Sequence, residues 1–232
     1  MPLPAPTLPT YNLTLPVSGQ KIKYRPFVMR EEKIMLLARE GNNIEEISTA
    51  IAQVLELCTF GKVNIAKLPI ADTEFLFIKV REQSIGSQIE ATINCSSCNH
   101  EQPYIIDLSK TKITSEPKSE HIKVDTTTIV TMRHPTINTV RYLKDATEQN
   151  AALAVTAGMI ESITMKDKVF AAEDLTHAEL MDWLDNLTEG QVAMIGEWID
   201  SLPKIIYEDV AKCKSCGSDI NIRTEGIDNF FD

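Results

Sequence analysis

Two Cys-x-x-Cys pairs, Cys95-Ser-Ser-Cys98 and Cys213-Lys-Ser-Cys216, hold four of the five cysteines in this chain. One tight turn of this spacing aims two thiolates at a single point. A tetrahedral zinc ion takes four such ligands, so the two pairs together make one closed site. A closed site has no open position for water or substrate, and its chemistry is to hold a fold together. Thiolates also bind iron, and spacing alone does not separate the two metals.

The flanks support the pairing. Asn99 and Gly217 directly follow the second cysteine of each pair, where such a turn needs the left-handed backbone that these residue types tolerate best. Each pair is predicted to lie between strands: residues 85–94 and 104–108 for the first, 204–212 and 219–223 for the second. This is the pattern of a zinc ribbon split by a long insertion. Other uses of the cysteines fit less well. A thioredoxin-like pair would be single and would open a helix. Disulfides need an oxidising compartment, and nothing in the sequence points to export. His100, two residues after Cys98, is a substitute ligand only if a thiolate is missing. Cys58 sits in the apolar run Val54-Leu-Glu-Leu-Cys58 and reads as a small buried hydrophobe.

Catalytic constellations are scarce. The chain has no phosphate-cradling glycine loop, no Gly-x-Ser-x-Gly turn and no His-Glu-x-x-His helix. A deaminase would join His-x-Glu to Pro-Cys-x-x-Cys. His177-Ala-Glu179 supplies the first half, but neither cysteine pair follows a proline, and Glu179 is explained by a helix cap. A metalloenzyme using His100, His134 or His177 as a ligand would need an open site. The paired acids Glu31-Glu32, Glu45-Glu46 and Glu173-Asp174 lie near predicted helix starts, where they complement the helix dipole. The sequence therefore predicts a non-enzymatic protein.

Composition narrows the class further. With 23 Lys and Arg against 33 Asp and Glu, the net charge is -10, which opposes a nucleic-acid groove or an anionic membrane surface. The acids Glu90, Glu101, Asp107, Glu208, Asp209 and Asp219 lie on or near the ribbon strands, opposed there by Lys212, Lys214 and Arg223. A zinc-ribbon nucleic-acid binder, such as a transcription accessory protein, is thus the second reading. No apolar run approaches the roughly 20 residues that span a bilayer, and no signal peptide is predicted.

Periodicity places the remaining elements in an α+β chain. Residues 1–10 carry four prolines and predict an extended arm. Residues 11–15 and 21–25 alternate around Gly19, a hairpin. Residues 30–39 and 43–58 have helical spacing, with Ile34, Leu37 and Ala38 on one stripe and Asn43 as a cap. A core helix follows over 72–84. Residues 121–124 and 127–132 predict a second hairpin. The stretch 136–202 is predicted mainly helical, with segments at 137–149 and 151–163, a strand or turn at 166–170, and helices opened by the capping boxes Thr176-x-x-Glu179 and Thr188-x-x-Gln191. The expected layout is an arm (1–10), a hairpin and helices (11–84), the first half of the ribbon with a hairpin (85–135), a helical insertion (136–203) and the second half of the ribbon with a tail (204–232). Phe230 and Phe231 give that tail two apolar side chains, which either fold back on the ribbon or dock a partner.

Several blocks resemble the baseplate protein family of T4-like contractile-tailed phages. They are Tyr11-Asn-Leu-Thr-Leu-Pro16 with Gly19-Gln-Lys-Ile-Lys-Tyr-Arg-Pro-Phe27, Cys58-Thr-Phe-Gly61, and Leu68-Pro69 with Asp72, Glu74-Phe-Leu-Phe-Ile-Lys79 and Arg81 through Ser84-Ile-Gly86. The likeness runs from about residue 2 to the second cysteine pair. It implies a hub subunit or hub assembly protein, without small-molecule substrate or membrane insertion. Its expected partners are other baseplate hub and tail proteins, and self-association is compatible with it. Its expected place is the host cytoplasm during assembly, then the tail baseplate. The zinc expectation rests on Cys95, Cys98, Cys213 and Cys216, not on the resemblance.

Overall fold

The computed structural model describes residues 6–41, 43–114, 119–143, 146–147 and 149–226. The first half of the proline-rich arm and the Phe230-Phe231 tail lie outside the described residues. In chain order the elements are β1 (Tyr11–Thr14), β2 (Lys21–Tyr24), α1 (Met29–Glu40), α2 (Ile44–Cys58), α3 (Ile70–Ser84), β3 (Gln88–Asn94), β4 (Glu101–Asp107), β5 (Lys112–Ile113), β6 (His121–Lys123), β7 (Thr128–Met132), α4 (Ile137–Val140), α5 (Ala151–Met159), β8 (Ile160–Met165), β9 (Lys168–Ala171), α6 (His177–Asp185), α7 (Glu189–Asp200), β10 (Ile205–Lys212) and β11 (Asp219–Glu225). The chain is α+β, as the periodicity predicts.

Two compact units emerge. The first gathers the residues up to Ile65, Ala71–Thr114 and the chain from Lys204 on. Here β1 and β2 form the expected antiparallel hairpin, with Leu13 opposite Ile22. Asp72, at the start of α3, is fully buried because both its oxygens accept hydrogen bonds, from the backbone N–H groups of Val17 and Ser18 at 2.8 Å each. The hairpin turn is thereby fastened to the helix. Helix α2 is capped by Asn43, whose side chain accepts from Glu45 N at 2.9 Å. Its buried face holds Ile51, Val54, Leu55 and Cys58 at helical spacing.

In α1 the expected stripe is only partly realised. Glu31 is buried and holds Arg25 through two oxygens at 2.7 and 2.8 Å, while also accepting from Val28 N. This pair fixes the inward face of the helix. Leu37 lies about 120° around from Glu31 at 3.6 residues per turn and is exposed.

The second unit comprises Ala66–Ile70 and the chain after Thr114 up to Pro203. Its sheet is antiparallel in the order β6-β7-β8-β9. The core packs Val130, Met132, Ile160 and Ile163 from that sheet with Leu180, Leu184, Ile195 and Trp198 from α6 and α7. Both capping boxes form. Ala66–Ile70 joins this unit by local pairing: Ile70 N donates to Pro135 O at 2.8 Å, and Pro69 bridges Thr136.

Two expected helices are corrected. Among the described residues of 137–149 only the turn α4 is α-helical, followed by a 3-10 turn at Arg141–Leu143. Ile137, Thr139 and Val140 are β-branched and weak helix formers, and Asn150 then draws Thr147 N onto its side chain. Over 151–163 the helix stops at Met159. Ile160-Glu-Ser-Ile-Thr-Met165 instead lies as a strand between β7 and β9. A short apolar run satisfies both periods, and here sheet partners on both sides decide.

Candidate metal centre

Hairpins β3–β4 and β10–β11 carry the two Cys-x-x-Cys turns, each in a seven-residue register, Gln88 with Asp107 through Asn94 with Glu101 and Ile206 with Glu225 through Lys212 with Asp219. The turns share one geometry. Cys95 N donates to His100 O and Asn99 N to Cys95 O, at 3.0 and 2.8 Å. Cys213 N donates to Ser218 O and Gly217 N to Cys213 O, at 2.8 and 3.0 Å. Asn99 and Gly217 have φ of 55° and 77°, the left-handed conformation expected at these positions.

The four sulfurs converge. All lie within 4.8 Å of one another, with Cys95 Sγ 3.7 Å from Cys216 Sγ and Cys98 Sγ 3.7 Å from Cys213 Sγ. A tetrahedral zinc with Zn–S bonds of about 2.3 Å requires sulfurs about 3.8 Å apart. The quartet is therefore able to bind a metal ion. Cys95 and Cys213 are buried against Ile220, Ile93, Ala211 and Ile222, whereas Cys98 and Cys216 are exposed. Ser215 N lies 3.4 Å from Cys213 Sγ, a backbone donor for a thiolate.

Cys98, Cys213 and Cys216 share their protons unevenly. The Ser218 hydroxyl, 3.3 Å from Cys216 Sγ, and its backbone N–H favour the Cys216 thiolate, which is brought down to about 6. Backbone hydrogen bonding at His100 lowers Cys98, but the Cys216 sulfur, desolvation and the Cys213 and Cys95 sulfurs together outweigh it and push Cys98 up to about 12. A cation among the sulfurs would replace these shared protons, the usual coupling of metal binding to proton release.

Two bridges hold the hairpins in place. Buried Gln102 of β4 donates through Nε2 to Lys212 O at 3.0 Å and accepts from Lys214 N at 2.7 Å, so one side chain spans both halves. Further along, Tyr104 of β4 donates to Asp209 Oδ2 at 2.7 Å and lies 2.9 Å from the Tyr207 hydroxyl. Lys110 Nζ reaches the same carboxylate oxygen at 2.9 Å. These donors hold Asp209 far below the ordinary carboxylate range, with the Lys110 bond contributing most. Neither bridge was foreseen from sequence; Gln102, two positions past the turn, carries no local sign of its burial.

The sulfur cluster includes none of the remaining sequence candidates. The metal-type cluster contains no His100 ring atom. Cys58 is buried, and burial raises its thiol to about 12, leaving it protonated at neutral pH. His177 belongs to the second unit, where its ring stacks on Tyr142 at 4.0 Å and Nε2 meets Ala154 O at 2.8 Å. Glu179 is committed to the cap of α6. On the ribbon, Lys212 pairs with Asp219, and Arg223 with Glu208 and Glu225, so the cations noted in the sequence are largely neutralised in place.

The family described as T4 bacteriophage base plate protein matches residues 8–232, essentially the whole chain. The chain belongs to that family. No curated protein and no solved structure matches it. Family membership makes this a phage baseplate structural protein whose neighbours are other baseplate or tail proteins. Among the described residues of this baseplate protein, no helix is long and apolar enough to cross a membrane.

Proposed function

We propose that this baseplate protein is a non-enzymatic structural or assembly subunit of the central hub, with zinc held by Cys95, Cys98, Cys213 and Cys216. The observation that carries the reading is the convergence of four sulfurs from hairpins more than a hundred residues apart, in a chain that matches a baseplate family nearly end to end. Bound there, zinc would contribute on the order of 10–16 kcal/mol of apparent binding free energy to folding. It would fasten the chain on either side of the second unit and leave no coordination position for substrate. Assembly would take place in the reducing host cytoplasm, where thiolates persist. Nucleic-acid binding is the second reading, opposed by the net charge of -10 and the paired ribbon cations.

The test uses phage unable to make this chain. Their lysates should contain heads but no complete baseplates by electron microscopy, and purified protein should restore tails. Normal tails in its absence would overturn the structural assignment, and salt-dependent retardation of DNA by the purified chain would favour the second reading.

A further inference from the structure

A second site lies wholly within the second unit. A cleft of about 370 Å³ is bordered by Lys67, Arg133 and Arg141, with the hydroxyl residues Thr136 and Thr139 between them. Among its described lining residues there is no carboxylate, in a chain whose acids outnumber its cations by 33 to 23. The site is built rather than incidental. Arg133 is oriented by two hydrogen bonds to Gly158 O, from Nε at 3.2 Å and Nη2 at 3.1 Å. Arg141 is oriented by one, from Nε to Asn138 O at 3.0 Å. One wall is the Tyr142 ring, stacked on His177. It seats where Gly158 has no side chain; a Cβ there would come within 2.5 Å of the ring. Each guanidinium keeps donors beyond those bonds, and a guanidinium fork matches a carboxylate in two bonds at once.

We propose that this cleft docks an acidic peptide segment of a neighbouring protein, its side-chain carboxylates held by Lys67, Arg133 and Arg141. The inference rests on the baseplate reading for the kind of partner. Charge complementarity supplies the attraction, and the Tyr142 and Ala66 surfaces accept the methylene groups of Asp and Glu. A nucleic-acid strand would carry its charge past the three local cations onto the acidic remainder of the chain, whereas a short acidic segment keeps its carboxylates within the cleft. A bare phosphate would leave the aromatic wall unused.

The test measures anisotropy of a fluorescein-labelled Gly-Glu-Asp-Glu-Asp-Gly peptide with the full chain, beside its Gln/Asn counterpart. The acidic peptide should bind at least about ten-fold tighter than the amide one, and the double variant Lys67→Gln/Arg141→Gln should lose about ten-fold or more, the scale of one charge-assisted contact. Both residues are exposed, so circular dichroism and metal content should not change. The exposed hairpin pair Lys21→Gln/Lys23→Gln removes the same charge elsewhere and should leave binding intact. Equal binding of the two peptides, equal loss in both double variants, or binding of inorganic phosphate with none of the peptide would each overturn the proposal. Failure here with tail restoration intact would sink only the cleft; peptide binding without tail restoration would sink only the hub reading.

Discussion

At the scale of single residues, the four clustered cysteines differ in burial, yet each supplies one sulfur to the same cluster. Cys95→Ser and Cys216→Ser should therefore abolish stoichiometric metal alike, although one residue is buried and the other exposed. Cys58→Ala should keep full metal content, because its thiol is buried and protonated. Elemental analysis of the three purified variants checks this, and metal retained by either serine variant would exclude a four-sulfur site. Glu31 offers a different test. Burial raises its carboxyl, but the bonds from Arg25 and Val28 more than offset this and leave it below the ordinary range. A depressed carboxylate contributes stability above its unfolded value, and that contribution is lost as pH falls through the folded one. Denaturation midpoints should drop below about pH 4 in the native chain, and part of that drop should vanish in Glu31→Gln, which itself should cost about 3–5 kcal/mol by stranding Arg25. A variant as stable as the parent at neutral pH would contradict the pairing. The cysteine pattern was legible in sequence because a turn of four residues carries its own geometry. Glu31 was legible only as a helix-start acid, since its partner Arg25 belongs to the end of a hairpin.

Between elements, the joints are made by side chains with two-ended hydrogen bonds. Asp72→Ala removes both acceptors that fasten the β1–β2 turn to α3. It should cost roughly 3 kcal/mol, given about 1.5–3 kcal/mol for a hydrogen bond to a charged group, and should speed amide exchange at Val17 and Ser18 before the rest of the unit. Uniform exchange would show that the turn is held otherwise. Gln102→Ala frees Lys212 O and Lys214 N. It should destabilise by about 1–3 kcal/mol and weaken metal retention against a chelator without abolishing it; unaltered retention would remove Gln102 from the support of the site. Local signals predicted the capped elements well: Asn43, Thr176 and Thr188 each open a helix where expected. Where sequence expected helix over 160–163, the apolar run carries no local signal of the strands β7 and β9 that claim it. The excursion of Ala66–Ile70 into the second unit is likewise invisible locally, because its partners Pro135 and Thr136 lie far downstream in the chain.

Across the whole molecule, the chain leaves the first unit at Thr114 and returns at Lys204, and the sulfurs join the strands on either side of that departure. Metal and partner should therefore be read together. Native mass spectrometry of the chain co-expressed with the phage's other hub and tail proteins does so in one spectrum. The expected result is a complex containing this chain, one zinc per copy and a hub component, with both zinc and complex lost in Cys95→Ser. A metal-free chain that still joins the hub would contradict the zinc-built scaffold, and a zinc-bearing chain that joins none of the hub or tail proteins would contradict the hub assignment.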